Sequence, residues 1–324
     1  MLKIVEYENK YLEDASHLLY ITQLRENRTI GREQNLSHEK CRDIIIDELK
    51  KKVSSALVLL DDDKLVAYVI AIIKEDEIWG NYGWVNLGAW SIEDNYSYSL
   101  GILYKEIGKV WANHKITKHV FLVYPGQKSS IERFFELGFA KQQVHGLMMA
   151  NDKFNHDLLQ RNKNLIVRKA SKNDQSQING FSRKIPLFQQ KSPCFAPAPE
   201  EYLKALDEGF LDLTTDEEGT LYVVEKDETI IGYQLYYPVE EASLLEPENS
   251  VELAVSAISE DARGTGAGFD LTQYAINDQV RQGKSIFVTD WRSANLLSSK
   301  FWADTGFKTT AFRIYRHIDT ISES

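Results

Sequence analysis

Between Val251 and Gly268 the chain passes from an apolar stretch into the turn Arg263-Gly-Thr-Gly-Ala-Gly268, and a helical pattern follows from Phe269 to Val280. A strand that feeds a glycine-rich turn into a helix start builds an anion site. Free backbone N–H groups converge there, and the helix dipole favours negative charge. Gly264, Gly266 and Gly268 keep side chains away, so a diphosphate can approach the main chain. Arg263 adds a charged donor at the mouth. The alternative is a glycine-rich helix start that only turns the chain.

Three phosphate motifs fail on this segment. A dinucleotide-binding fingerprint needs glycine or alanine where Phe269 stands. A Walker A loop ending at Gly283-Lys-Ser285 needs a glycine at 278, where the chain has Asp278. A protein-kinase loop needs strands on both sides of its glycines, and here a helix follows. The segment instead resembles the GNAT superfamily of acyl-CoA N-acyltransferases. That family's motif is Arg or Gln, two residues, glycine, one residue, then glycine or alanine; here these are Arg263, Gly266 and Gly268. Asn295, the aromatic pair Phe301-Trp302 and Gly306-Phe307 follow in the family's order, and the likeness covers about residues 164–318.

The resemblance implies a set of roles. Acetyl-CoA, as co-substrate, would lie between the strands Glu252–Ile258 and Ser285–Thr289. Its diphosphate would sit on Arg263, Gly264, Thr265, Gly266, Ala267 and Gly268. Backbone groups of Ser256, Ala257 and Ile258 would hold the pantetheine, and an N–H on the same strand, with Val255 as candidate, would polarise the thioester. Glu252 stands where many members place a glutamate base, for a primary amine on a small-molecule or peptide acceptor. Strand alternation sets Glu252, Ala254 and Ser256 on one face; the other reading of Glu252 is an exposed carboxylate in a salt bridge. Asn295 is either a coenzyme contact or a helix N-cap.

No metal is implied. Four residues before Gly306, many members carry a tyrosine that returns a proton to the thiolate; here Trp302 stands there, with Tyr315 a weak substitute. Ser192–Pro199, with three prolines, is either an acceptor lid or a plain connector, and Cys194 within it lacks a histidine partner.

The elements that must position these groups occur twice. The first half presents a strand at 3–7, two helical stretches at 12–25 and 37–52, a hairpin through Asp61-Asp-Asp-Lys64, and a strand at 84–92. A helix at 100–114, a strand at 119–123, a helix at 129–137 and a last strand to Ala150 complete it. From Leu165 the same order returns. It includes a capping-box pattern at Ser171–Asp174, a helix opened by Pro199, and a hairpin through Lys226-Asp-Glu-Thr229. Phe134-Phe-Glu-Leu-Gly-Phe139 answers Trp302-Ala-Asp-Thr-Gly-Phe307. The expected fold class is α/β, layered as α+β: two tandem GNAT-like domains, each a mixed, mostly antiparallel sheet flanked by helices. The domains are set at 1–150 and 164–324, with 151–163 as a polar linker that has some helical character.

In the first half Tyr96 replaces the arginine, Ser99 the central glycine, Asn86 the glutamate and Gln127 the asparagine. That half is expected to be non-catalytic. The layout is similar to tandem members of the family with one degenerate half, such as mycothiol synthase, and nothing in the sequence points to that substrate.

The chain's 324 residues exceed one usual core, in keeping with two domains. A net charge of −10 argues against nucleic acid as a partner. Cys41 and Cys194 lack metal-type spacing, and no apolar run is long enough for a signal peptide or a membrane span. A soluble cytoplasmic protein is expected.

Overall fold

The computed structural model describes residues 1–31, 36–150 and 162–319. The chain divides into two compact units. Met1–Val144 with Thr309–Ser324 forms one, and His145–Lys308 forms the other. The units therefore exchange their last strands relative to the sequence halves. The final strand pairs with a first-half strand, and the end of the first half's last strand lies in the second unit. Most of the linker at 151–163 lies outside the described residues.

In the first unit β1 (Leu2–Glu6), β2 (Val53–Asp61), β3 (Lys64–Lys74) and β4 (Tyr82–Val85) pair antiparallel in turn. A short β5 (Trp90–Ile92) also pairs with β3. The single expected strand at 84–92 is thus two strands, separated by Asn86–Ala89. β4 runs parallel to β6 (Lys118–Val123), and β6 pairs antiparallel with the final strand, Lys308–His317. Helices α1 (Leu12–Ile30), α2 (His38–Lys50), α3 (Leu100–Asn113) and α4 (Lys128–Glu136) complete the unit. Trp90, Phe121, Phe134 and Phe139 meet edge to face in its core.

The second unit repeats the plan. The end of β7 (Ala140–Met149) is followed by β8 (Ile166–Lys169), β9 (Thr220–Lys226), β10 (Thr229–Pro238), β11 (Ser250–Ile258) and β12 (Ile286–Arg292). The strands lie in the order β7-β12-β11-β10-β9-β8; the final strand, Lys308–His317, is β13. Helices α5 (Gln175–Asn179), α6 (Lys184–Gln189) and α7 (Glu200–Gly209) precede the hairpin. Next come α8 (Ala267–Arg281) after β11 and α9 (Leu296–Thr305) after β12. Ile178, Phe181 and Phe210 pack on one sheet face against Leu221, Val223, Tyr233 and Leu235.

Local chemistry explains the boundaries. Both hairpin turns lack glycine, yet each has two successive left-handed residues, Asp62-Asp63 and Asp227-Glu228. Such a turn matches the twist of its strands, and aspartate tolerates that conformation better than most residues. The Ser171 backbone N–H donates to the Asp174 carboxylate at 2.6 Å, as the capping pattern requires. Pro199 is the N-cap of α7, one residue earlier than expected.

Candidate functional site

Strand β11 carries the site, and its geometry begins with a bulge. Leu235 of β10 pairs with Val255, but the next residue, Tyr236, pairs with Leu253. Ala254 is the extra residue, and it is exposed. One inserted residue flips the faces of everything beyond it. Glu252 lies opposite Tyr237, and Val255 and Ala257 share that face, packed toward α5–α7. Ser256 lies opposite Gln234, whose amide donates to Ser256 Oγ at 3.2 Å and to Thr272 Oγ1 of α8 at 2.8 Å. Simple alternation set Glu252 and Ser256 on one face; the bulge puts them on opposite faces.

The bulge coincides with a fork. β11 and β12 run parallel with a ladder of only three pairs, Ser250–Ile286 to Glu252–Val288. Thr289 Oγ1 donates to the Leu253 carbonyl at 2.9 Å and marks the point where the strands part. Ala254 to Ile258 form one arm beyond it, and Asp290 to Arg292 the other.

The glycine turn lies at the end of the first arm. Glu260–Ala262 form one 3-10 turn, Gly264 has φ +77°, and Gly266 caps α8 with φ +94°. Side chains rarely adopt these values, so glycine is needed at both places. Among the described residues, no acceptor meets the main-chain N–H of Gly264, Thr265, Gly266, Ala267 or Gly268. Thr265 Oγ1 donates to the Ala262 carbonyl at 2.7 Å and braces the turn. A Cβ on Gly268 would sit 3.3 Å from Phe301 and 3.4 Å from Ile258, so this glycine lets α8 approach both. Arg263 is exposed, with its guanidinium over the ring of Phe188 of α6, 4.3 Å from the centroid.

Glu252 is partly buried and forms no ion pair among the described residues, so the salt-bridge reading has no partner there. Burial, then the like charges of Glu246 and Asp290, push its carboxyl above the usual carboxylate range. Tyr237 opposite it donates its hydroxyl to Asp216 at 2.5 Å. From Leu211 to Ala262 fourteen carboxylates stand against one lysine, Lys226, so this part of the unit is strongly negative.

Asn295 is the N-cap of α9, its Oδ1 accepting the Ser298 N–H at 3.2 Å, which is the capping role of its two readings. Trp302 is buried, edge-on to Phe301 and Phe307, and serves the core. Tyr315 is opposite Val120 of β6 in the first unit, so it is not part of the second unit at all. Cys194 follows α6, and burial raises its thiol pKa while Arg292, at the tip of β12, lowers it.

The matching region of the first unit is closed. Asp94–Ser99 form a 3-10 helix running directly into α3, without a left-handed residue. Tyr96 donates its hydroxyl to Asp61 at 2.8 Å. Across the gap between β5 and β6 the Trp90 indole N–H donates to the Leu122 carbonyl at 2.8 Å. The buried carboxylate of Glu26 on α1 accepts the Gly126 N–H at 2.9 Å, and Gln23 bonds Tyr124. Asn86 donates to Glu48 at 2.8 Å and accepts from the Trp84 indole at 2.5 Å. Sequence comparison of the halves found the lost central glycine and arginine. It missed the α1 residues, because Gln23 and Glu26 fit an ordinary polar helix face.

Residues 186–307 match the model of the acetyltransferase (GNAT) family, so this segment of the second unit is similar to that acyltransferase family. A GCN5-related N-acetyltransferase from Sphaerobacter thermophilus aligns over 99% of this chain and 98% of its own, with a TM-score of 0.58 and 12% identity. A GCN5-related glucosamine N-acetyltransferase region from a fungal multi-domain β-N-acetylglucosaminidase aligns over 97% of this chain and 38% of that one, with a TM-score of 0.51 and 16% identity. At such identities the likeness is one of fold, and in the first case it spans both units. No curated protein matched the sequence. Among the described residues no helix is long and apolar enough to cross a membrane.

Proposed function

We propose that the second unit is an N-acetyltransferase that moves an acetyl group from acetyl-CoA to a primary amine by direct attack in a ternary complex. The observation that carries this is the β11–β12 fork, with five amides at its mouth and a carboxylate at its root that have no acceptor and no cation, respectively, among the described residues. A diphosphate satisfies the amides of Gly264 to Gly268 and meets Arg263. The open edge of Ser256, Ala257 and Ile258 offers main-chain groups to the pantetheine amides, and the Val255 N–H is the candidate donor to the thioester oxygen. Asn295, at the start of α9, borders the other side.

The acceptor arrives as an ammonium ion and must lose a proton before its nitrogen can attack the thioester carbon. Glu252 takes that proton, directly or through a water. Its raised pKa brings it closer to working pH, where a base is most effective. The C–N bond forms, the nitrogen gives its second proton to solvent as the C–S bond breaks, and the thiolate takes a proton from solvent, since Trp302 is held in the core. The negative field of the 211–262 region favours a cationic acceptor.

In this reading the first unit is a non-catalytic scaffold. The Trp90–Leu122 and Glu26–Gly126 hydrogen bonds occupy the place where a second coenzyme would lie. The lack of a tyrosine acid at Trp302 favours one competing reading, an acyl-CoA sensor without turnover. Release of free thiol from acetyl-CoA, measured with and without a panel of amines, separates the two. Acceleration by at least one cationic amine supports the enzyme. Coenzyme binding with no acceleration by any amine supports the sensor, and no binding removes both.

A further inference from the structure

The cation at the mouth of the amide turn is held by a ring. The Arg263 guanidinium has no carboxylate partner and no hydrogen bond among the described residues, and its contact is the face of Phe188 at 4.3 Å. The same short helix is tied to the same turn a second time. Lys184 Nζ donates to Ser259 Oγ at 3.0 Å, and the Ser259 N–H is fixed to the Ile231 carbonyl at 2.8 Å. Lys184 itself lies over the Phe181 ring at 3.8 Å. α6 is thus moored against the end of β11, and Phe188 is its contribution at the turn.

A carboxylate in Phe188's place would neutralise Arg263 and compete with any incoming anion. An aromatic face does neither. It limits the rotamers of a long side chain while leaving the guanidinium N–H donors, which lie in the plane of the group, free at their edges. Such pre-orientation lowers the ordering cost of binding.

We propose that Phe188 is a positioning residue for the coenzyme. It holds Arg263 beside the unpartnered amides of Gly264 to Gly268, so that a diphosphate meets a donor already in place. The inference rests on the reading of this turn as the acetyl-CoA site. It also gives the short helix α6 a role in donor binding.

The test compares acetyl-CoA with acetyl-pantetheine, which lacks the diphosphate, on the full chain. Phe188→Ala is expected to raise KM for acetyl-CoA about fivefold, with the loss in KM and not in kcat, and to move KM for acetyl-pantetheine less than twofold. Phe188→Trp, which keeps a π face, restores acetyl-CoA binding; Phe188→Leu, which keeps apolar bulk, does not. The double variant with Arg263→Ala binds no more weakly than Arg263→Ala alone. Equal weakening toward both donors, rescue by leucine, or additive losses would overturn the proposal and leave Phe188 as packing. If wild-type protein binds both donors equally tightly, the diphosphate reading of the turn fails, and the inference with it.

Discussion

Glu252→Gln is the most informative single change, because it keeps the side chain's shape and removes both charge and base. General bases contribute roughly 10²- to 10⁴-fold, which is about 3–5 kcal/mol of barrier. At pH 7.5 kcat/KM for the best amine should therefore fall at least about 100-fold. The pH profile carries more information than the size of the loss. Burial and the charges of Glu246 and Asp290 raise the Glu252 pKa above its ordinary 4.5. Activity should decline as pH falls through that raised value, and the glutamine variant should lack this acidic limb. Glu246→Gln or Asp290→Asn removes one like charge, so either should move the limb to lower pH.

Stability must move the other way. The folded state binds more protons than the unfolded between pH 4.5 and the raised pKa, so stability falls as pH rises through that window and stays lower above it. The glutamine variant escapes the loss. It should melt higher than wild type at pH 7 and no higher below pH 4.5. Thiol-release kinetics and thermal melts over the same pH series read both effects. Wild-type kcat/KM across the whole range, with the limb in place, would refute the assignment.

Three further outcomes are expected. Isothermal titration with acetyl-CoA should give one site per chain, because the first unit's gap is closed by Trp90 and Glu26; two sites would contradict that. Gly146→Ala would place a Cβ 2.7 Å from the buried indole of Trp291, and overpacking of this kind costs about 1–3 kcal/mol in urea denaturation. His119 is buried, with its Nδ1 2.7 Å from the Tyr104 hydroxyl, and its pKa is held at about 4 against an ordinary 6.5. Its unfolded form takes up a proton first, so stability is full above pH 6.5 and is lost toward pH 4, by about 3 kcal/mol in all. His119→Gln should flatten that slope in denaturation curves at successive pH values.

The repeated element order was legible because each half alternates strand and helix periods, and because turns and caps announce themselves. Asp61–Lys64 and Ser171–Asp174 are examples. The glycine turn was equally legible, since free amides and left-handed residues demand glycine there. Two features were not. The bulge at Ala254 leaves no mark in Glu-Leu-Ala-Val-Ser, a sequence that a regular strand also accepts. Nor does a strand's sequence say which unit it joins. Lys308–His317 has the pattern of a last strand wherever it pairs, and its register with β6 is a long-range choice.

The contrast between the units explains why the open site is in the second. Buried polar backbone groups are normally satisfied, and strained or unsatisfied positions concentrate where structure serves function. In the first unit the Gly126 N–H and the Leu122 carbonyl have side-chain partners, and the turn before α3 is an uninterrupted 3-10 helix. The second unit departs from these local rules at one place. A bulge interrupts β11, the ladder to β12 stops after three pairs, two left-handed glycines frame a turn whose amides meet no acceptor among the described residues, and a half-buried carboxylate forms no ion pair among them. These departures carry a cost at the half-buried carboxylate, whose charged form burial and like charges disfavour. Their convergence on one fork is expected when a ligand supplies the missing partners: anionic oxygens for the amides, amide groups for the open strand edge, and an ammonium proton for Glu252.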